Sequence, residues 1–212
     1  MTIPFNFVTI ESTLADRFNN NLLTHDVFVR ESLAANDIVI ISAGGNDIAL
    51  RPSMSTILAV VALLCQPSFM IERGWAAGLG HFISLFRDSV EGYIKSICAK
   101  QTPKLVVVCM IYYLDEVAGN SWADGVLAKL GYNSNPGKLQ LLIRTVFALA
   151  TQKISVDGVE VRAFPLFEVL DGKTTEDYVQ RVEPSSQGGE KMGRALVDFV
   201  EQELKAIRSQ AS

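Results

Sequence analysis

The chain predicts an α/β fold, a three-layer α/β/α sandwich built on a mostly parallel sheet, and three features of the sequence predict it. Two unbroken apolar runs, Ile38-Val39-Ile40-Ile41 and Leu105-Val106-Val107-Val108-Cys109-Met110-Ile111, suit strands buried on both faces. Strand-like and helix-like stretches alternate without a Pro/Ser-rich linker, an internal repeat or a low-complexity tract. Near the C-terminus Met192, Ala195, Leu196, Phe199, Val200, Leu204 and Ile207 recur at helical spacing, so a long last helix buries one face. At 212 residues, 49% hydrophobic and 20% charged, the chain can bury a substantial core and is read as one domain over residues 1–212.

The strand from Asp37 ends at Ser42-Ala43-Gly44-Gly45-Asn46-Asp47. Two glycines permit a tight turn and close backbone approach, and in open parallel sheets ligands sit beyond the carboxyl ends of the strands. The Asn46 carboxamide, aimed into such a crevice, would donate to an oxyanion formed during acyl transfer. The plainer alternative is a turn in which Asn46 or Asp47 caps the next helix. A largely helical region follows from about Ser53 to Ala99, broken near Gln66-Pro67-Ser68 and loosened by Gly74, Gly78 and Gly80, and is expected to cover one face of the sheet.

The second strand, Leu105 to Ile111, leads into Tyr112-Tyr113-Leu114-Asp115 at the end where a crevice would lie. Tyr113 is a candidate substrate contact there, with a core strand running into a loop as the alternative. Helices near Trp122–Leu130 and Lys138–Lys153 flank the punctuated loop Gly131-Tyr132-Asn133-Ser134-Asn135-Pro136-Gly137. Val159 to Phe164 reads as a third strand, extended by Pro165 through Leu170. Ser185 or Ser186 can cap the last helix.

A net charge of −4 leaves no basic footprint, so no nucleic-acid partner is expected. Cys65, Cys98 and Cys109 are widely and irregularly spaced and read as structural thiols, with no metal and no cofactor expected. No Gly-x-Gly-x-x-Gly or Gly-Lys-Ser/Thr loop supports a nucleotide site. The start lacks a signal-peptide pattern and the longest apolar run, Ile57 to Cys65, is too short to span a bilayer, so a cytoplasmic location is expected.

Gly44-Gly45-Asn46-Asp47, taken with Tyr178-Val179-Gln180-Arg181-Val182-Glu183-Pro184-Ser185-Ser186-Gln187-Gly188, resembles the SGNH (GDSL-type) hydrolase family. The resemblance implies a flavodoxin-like sheet, hydrolysis of a small-molecule ester through an acyl-enzyme, Asn46 as oxyanion donor, and Gly44 and Gly45 as the turn that admits substrate. The late block departs from the family pattern: Glu183 stands where a catalytic His is expected and Gln180 where an Asp is expected. Glu183 is therefore the candidate substituted base, or else a carboxylate favouring the N-terminus of the last helix.

The family's Gly-Asp-Ser nucleophile block has no full counterpart. Phe7 to Asp16 looks like the family's second block, which implies a strand upstream of Met1. In the competing alignment Ile3 to Ile10 is the central strand and Ser12, in Ile10-Glu11-Ser12, is the candidate nucleophile. A noncatalytic binding module that keeps the crevice is the alternative function.

Overall fold

The computed structural model describes residues 13–49, 52–119 and 121–210; Ile3 to Ile10 and Ser12 lie outside the described residues. Three strands, β1 (Ile38–Ser42), β2 (Leu105–Met110) and β3 (Val161–Pro165), form a parallel sheet in the order β1-β2-β3. The helices are α1 (Thr24–Ser32), α2 (Gly45–Ala49), α3 (Met54–Leu64), α4 (Ser68–Glu72), α5 (Leu79–Ile83), α6 (Val90–Ile97), α7 (Asp124–Lys129), α8 (Pro136–Leu149) and α9 (Ser186–Gln210), with a π-helical turn at Ser84–Ser89. A two-stranded antiparallel ribbon, β4 (Tyr178–Val179) with β5 (Glu183–Pro184), precedes α9.

Every residue of β2 is buried, which is why its sequence is an unbroken apolar run and not an alternation. Side chains along a strand point to opposite faces. Leu105, Val107 and Cys109 pack with Phe199, Val200 and Leu204 of α9, while Val106 and Val108 pack with Val90, Ile94 and Ile97 of α6. Met110 continues that second face toward Phe147 of α8 and Phe86 of the π-helical turn. Helices therefore lie against both faces of this mixed α/β fold. Coverage by α9 thins toward β1, where Ile40 and Ser42 are exposed while Ile41 is buried.

The helical region after β1 divides where the sequence predicts. Helix α3 stops before Gln66, and Pro67 stands just outside α4. Gly78, at φ 90°, starts α5, and a Cβ there would lie 2.6 Å from the Ala59 carbonyl oxygen, so α3 and α5 can meet this closely only at glycine. The expected extension of the third strand over Pro165–Leu170 is instead a 3-10 turn at Leu166–Glu168. No further strand pairs with this stretch among the described residues, and Val169 and Leu170 donate their N–H groups to the Leu166 carbonyl instead.

Candidate functional site

Gly44 turns the chain out of β1 at φ 97°, in the left-handed region that favours glycine. A Cβ at this position would stand 2.6 Å from Cε1 of Phe86, so the π-helical turn also fills the space a side chain would need. Gly45 opens α2 against the end of β2, its missing Cβ 3.7 Å from Cγ2 of Ile111. Asn46 follows in the first turn of α2, half-buried.

Asp47 is buried, and its carboxylate reaches back along the chain. Its Oδ2 accepts the Leu14 N–H at 2.9 Å and its Oδ1 the Ala15 N–H at 3.1 Å. One carboxylate thus fastens a segment thirty-odd positions earlier to the carboxyl end of β1. The chain just after Ser12 is held at the end of the sheet where Asn46 lies.

The late block is built around a second buried carboxylate. Asp177 accepts Gln187 Nε2 at 2.8 Å and Lys191 Nζ at 2.7 Å, and its backbone carbonyl accepts the Ser185 N–H at 2.8 Å. Burial alone would raise the Asp177 pKa; the hydrogen bonds from Lys191 and Gln187 outweigh it and hold the group below its ordinary value. Ser185 Oγ accepts the Gly188 N–H at 3.2 Å, so Ser185 is the cap of α9. Gly188 sits on the Asp177 carbonyl so closely that a Cβ would come within 2.1 Å of its oxygen.

Between β4 and β5, Gln180 and Arg181 adopt φ 52° and 67°, a left-handed conformation that is uncommon for residues other than glycine. The buried Arg181 side chain offsets that cost. Its NH1 donates to Asp124 Oδ1 at 2.6 Å and Asn133 Oδ1 at 3.1 Å, its NH2 and Nε donate to the Asp115 carbonyl at 3.1 and 3.3 Å, and the guanidinium lies 6.0 Å from the Tyr132 ring centroid. The Asp115 N–H returns a hydrogen bond to the Arg181 carbonyl at 3.0 Å. The punctuated loop near Gly131 is thereby the seat of this arginine.

Glu183 pairs with Val179 across the ribbon, and its side chain is exposed. Beside it the Tyr112 hydroxyl donates to the Val182 carbonyl at 2.8 Å; burial first, and the Glu183 charge second, push Tyr112 up to about 12. Tyr113 is only 7% exposed. Its ring stacks on Phe167 at 5.3 Å and its hydroxyl accepts from Arg144 at 2.9 Å, so it is committed to the core on the α8 side.

The two motifs converge on consecutive residues of one strand end, Ile111 meeting Gly45 and Tyr112 meeting Val182. Past the end of β2 Ile111 packs into the core on the α8 side and Tyr112 into the core on the α9 side, so the Gly44–Asn46 turn and the Glu183 ribbon flank that end. The histidines serve packing: His25 Nε2 lies 2.8 Å from Arg17 NH2, and His81 Nε2 lies 2.9 Å from Thr56 Oγ1. Among the described residues no cluster of His, Cys, Asp or Glu is placed to hold a metal. An open concavity of about 510 Å³ along α9, lined by Glu190, Gly193, Arg194, Val197 and Asp198, includes none of the sequence-predicted site residues.

Sequence reasoning missed Arg181 and Asp177 as the fasteners of the late block, and it read Trp122 only as a helix start. Trp122 is exposed, its N–H donating to Gln180 Oε1 at 3.3 Å, and Val126 and Val179 are exposed too. In the sequence, the one signal for Arg181 was an Arg placed among turn residues, and that is indistinguishable from a solvated side chain. Compared with protein-family models, curated proteins and solved structures, the chain gives no match.

Proposed function

We propose that the chain is an ester hydrolase of the SGNH type, with its crevice at the carboxyl edge of β1 and β2 and the flavodoxin-like sandwich as its fold. The observation that carries this reading is the Gly44-Gly45-Asn46 turn at the carboxyl end of a parallel strand, braced by Phe86 above and by Asp47 from within. In this reading the Ser12 oxygen bonds to the ester carbonyl carbon, its proton passes to Glu183, and the charge that develops on the carbonyl oxygen faces Asn46. Collapse of that intermediate breaks the bond to the leaving oxygen, which takes the proton back from Glu183 and departs as the alcohol. Water then attacks the acyl carbon, its proton passing by way of Glu183 to the Ser12 oxygen as the acid is released. Gly44 and Gly45 let the acyl group approach.

A second reading, a noncatalytic module that binds esters in the same crevice, is favoured by the exposure of Glu183. A solvent-exposed carboxylate is a weaker base for a serine hydroxyl than the imidazole the family places there. Turnover of a short-chain p-nitrophenyl ester separates the two. A hydrolase exceeds a heat-treated control and loses turnover in Glu183→Gln. A binding module shows no turnover in either protein, and short-chain esters raise its apparent melting temperature.

A further inference from the structure

Two exposed serines at the start of α3 are joined through hydroxyl groups to an imidazole. Ser53 is the N-cap of α3, where its Oγ accepts the Thr56 N–H at 3.1 Å. That bond alone completes the cap. The same oxygen also lies 2.7 Å from Ser55 Oγ and 2.8 Å from Thr56 Oγ1, and Thr56 Oγ1 lies 2.9 Å from His81 Nε2 on α5. Capping requires none of these further contacts. The close approach at Gly78 brings them about, since His81 stands one turn beyond Gly78 on α5 and Thr56 one turn before Ala59 on α3.

Burial changes along this relay. Ser53 and Ser55 are exposed, Thr56 is only 3% exposed and His81 is half-buried. Solvent therefore reaches the serines and is kept from the hydroxyl that links Ser53 to the imidazole. With the imidazole proton on Nδ1, His81 Nε2 accepts from Thr56, Thr56 accepts from Ser53, and Ser53 accepts from Ser55 and from the Thr56 N–H. Every hydroxyl proton of the relay then points toward His81. The N–H groups of Met54 and Ser55, in the first turn of α3, find no carbonyl of their own helix, and the positive end of a helix favours negative charge beside it.

We infer that Ser53 is a nucleophile toward carboxylic esters, with His81 as its base through the Thr56 hydroxyl. A serine and a base joined by hydrogen bonds are the parts that such an attack needs. Ser53 Oγ bonds to the ester carbonyl carbon while its proton passes to Thr56 Oγ1 and the Thr56 proton passes to His81 Nε2. The charge that develops on the carbonyl oxygen is stabilised by the start of the helix, and the bond to the leaving oxygen then breaks. His81 yields its proton to water and the leaving oxygen takes one from water, so serine and ester become acyl-serine and alcohol. The inference does not rest on the crevice beside β1, because it invokes a different serine on a different element.

A fluorophosphonate, which loses fluoride to an activated serine and leaves a stable adduct, tests this on the whole chain, with the labelled residue located by tandem mass spectrometry. Ser53 is expected to carry the label. Ser53→Asn, which keeps a helix cap and removes the hydroxyl, should abolish it. Thr56→Val and His81→Gln should each slow labelling by about tenfold or more, and Thr56→Ser, which keeps the linking hydroxyl, should label at close to the wild-type rate. Each variant is compared as folded protein, shown by its unfolding midpoint. Label on Ser12 and none on Ser53 overturns this inference while supporting the hydrolase reading, and label on both serines supports both. No label on any serine overturns it, as does label on Ser53 at a rate that Thr56→Val and His81→Gln leave unchanged.

Discussion

The turn after β1 and the ribbon before α9 reach the same strand end by different means. At the first, a glycine turn is wedged under one aromatic ring, and a carboxylate, Asp47, captures two distant backbone N–H groups. At the second, two left-handed non-glycine residues are held by a buried arginine with three acceptors, and an acid, Asp177, ties the start of α9 to the ribbon. The first half gives way at a side chain and the second at the backbone. The difference shows where the polar groups are spent. In both halves the buried ionised groups position the chain, and the residues suited to chemistry, Asn46 and Glu183, are the ones left nearer the surface.

The largest effects should come from filling the two glycine sites. Gly188→Ala meets the Asp177 carbonyl, which cannot swing aside, and should cost about 3 kcal/mol in urea unfolding. Gly44→Ala meets the Phe86 ring, which can shift, and adds the left-handed backbone strain; about 2 kcal/mol is expected. Equal costs at the two sites would contradict the distinction between backbone and side-chain obstruction.

Removing the anchors comes next. Arg181→Met strands the Asp115 carbonyl and the oxygens of Asp124 and Asn133, and should cost about 2 kcal/mol by the same measurement. Asp47→Ala leaves the Leu14 and Ala15 N–H groups without their acceptor and should cost about 1–2 kcal/mol. Hydrogen exchange localises the two effects: Asp47→Ala should speed exchange at Leu14 while leaving Asp115 protected, and Arg181→Met the reverse.

How much of this was legible in the sequence follows from what each signal encodes. Strand β2 was readable because burial on both faces forces an apolar run, β1 because its apolar run ends in a glycine turn even though its α9-side face is partly exposed, and α9 because one buried face forces helical spacing. The breaks at Pro67 and Gly78 were readable because those residues constrain the backbone locally. The 3-10 turn at Leu166 was not, since it depends on which strands find partners. Asp47 was read as a candidate cap and Asp177 was given no role, because their partners at Leu14 and Lys191 are chosen by the fold. Tyr113 looked like a pocket residue because it follows a strand; its commitment to Phe167 and Arg144 is a tertiary fact.

The smallest effect belongs to Asp177 and is read by pH. Asp177 is held below its ordinary value of 3.8, so it binds fewer protons folded than unfolded, and its contribution is present above about pH 4 and lost as pH falls through the folded value. Urea midpoints between pH 7 and pH 2 should therefore fall less steeply at the acid end in Asp177→Asn than in wild type. Parallel curves would show that the Lys191 and Gln187 contacts contribute nothing to the acid limb.

The most direct test of the proposed chemistry is kcat on a p-nitrophenyl ester for wild type and Asn46→Ala, each shown to be folded by its unfolding midpoint. Loss of an oxyanion donor predicts a fall in kcat of about a hundredfold or more with the fold intact. An unchanged kcat in a well-folded Asn46→Ala protein would contradict the assignment of Asn46 as that donor.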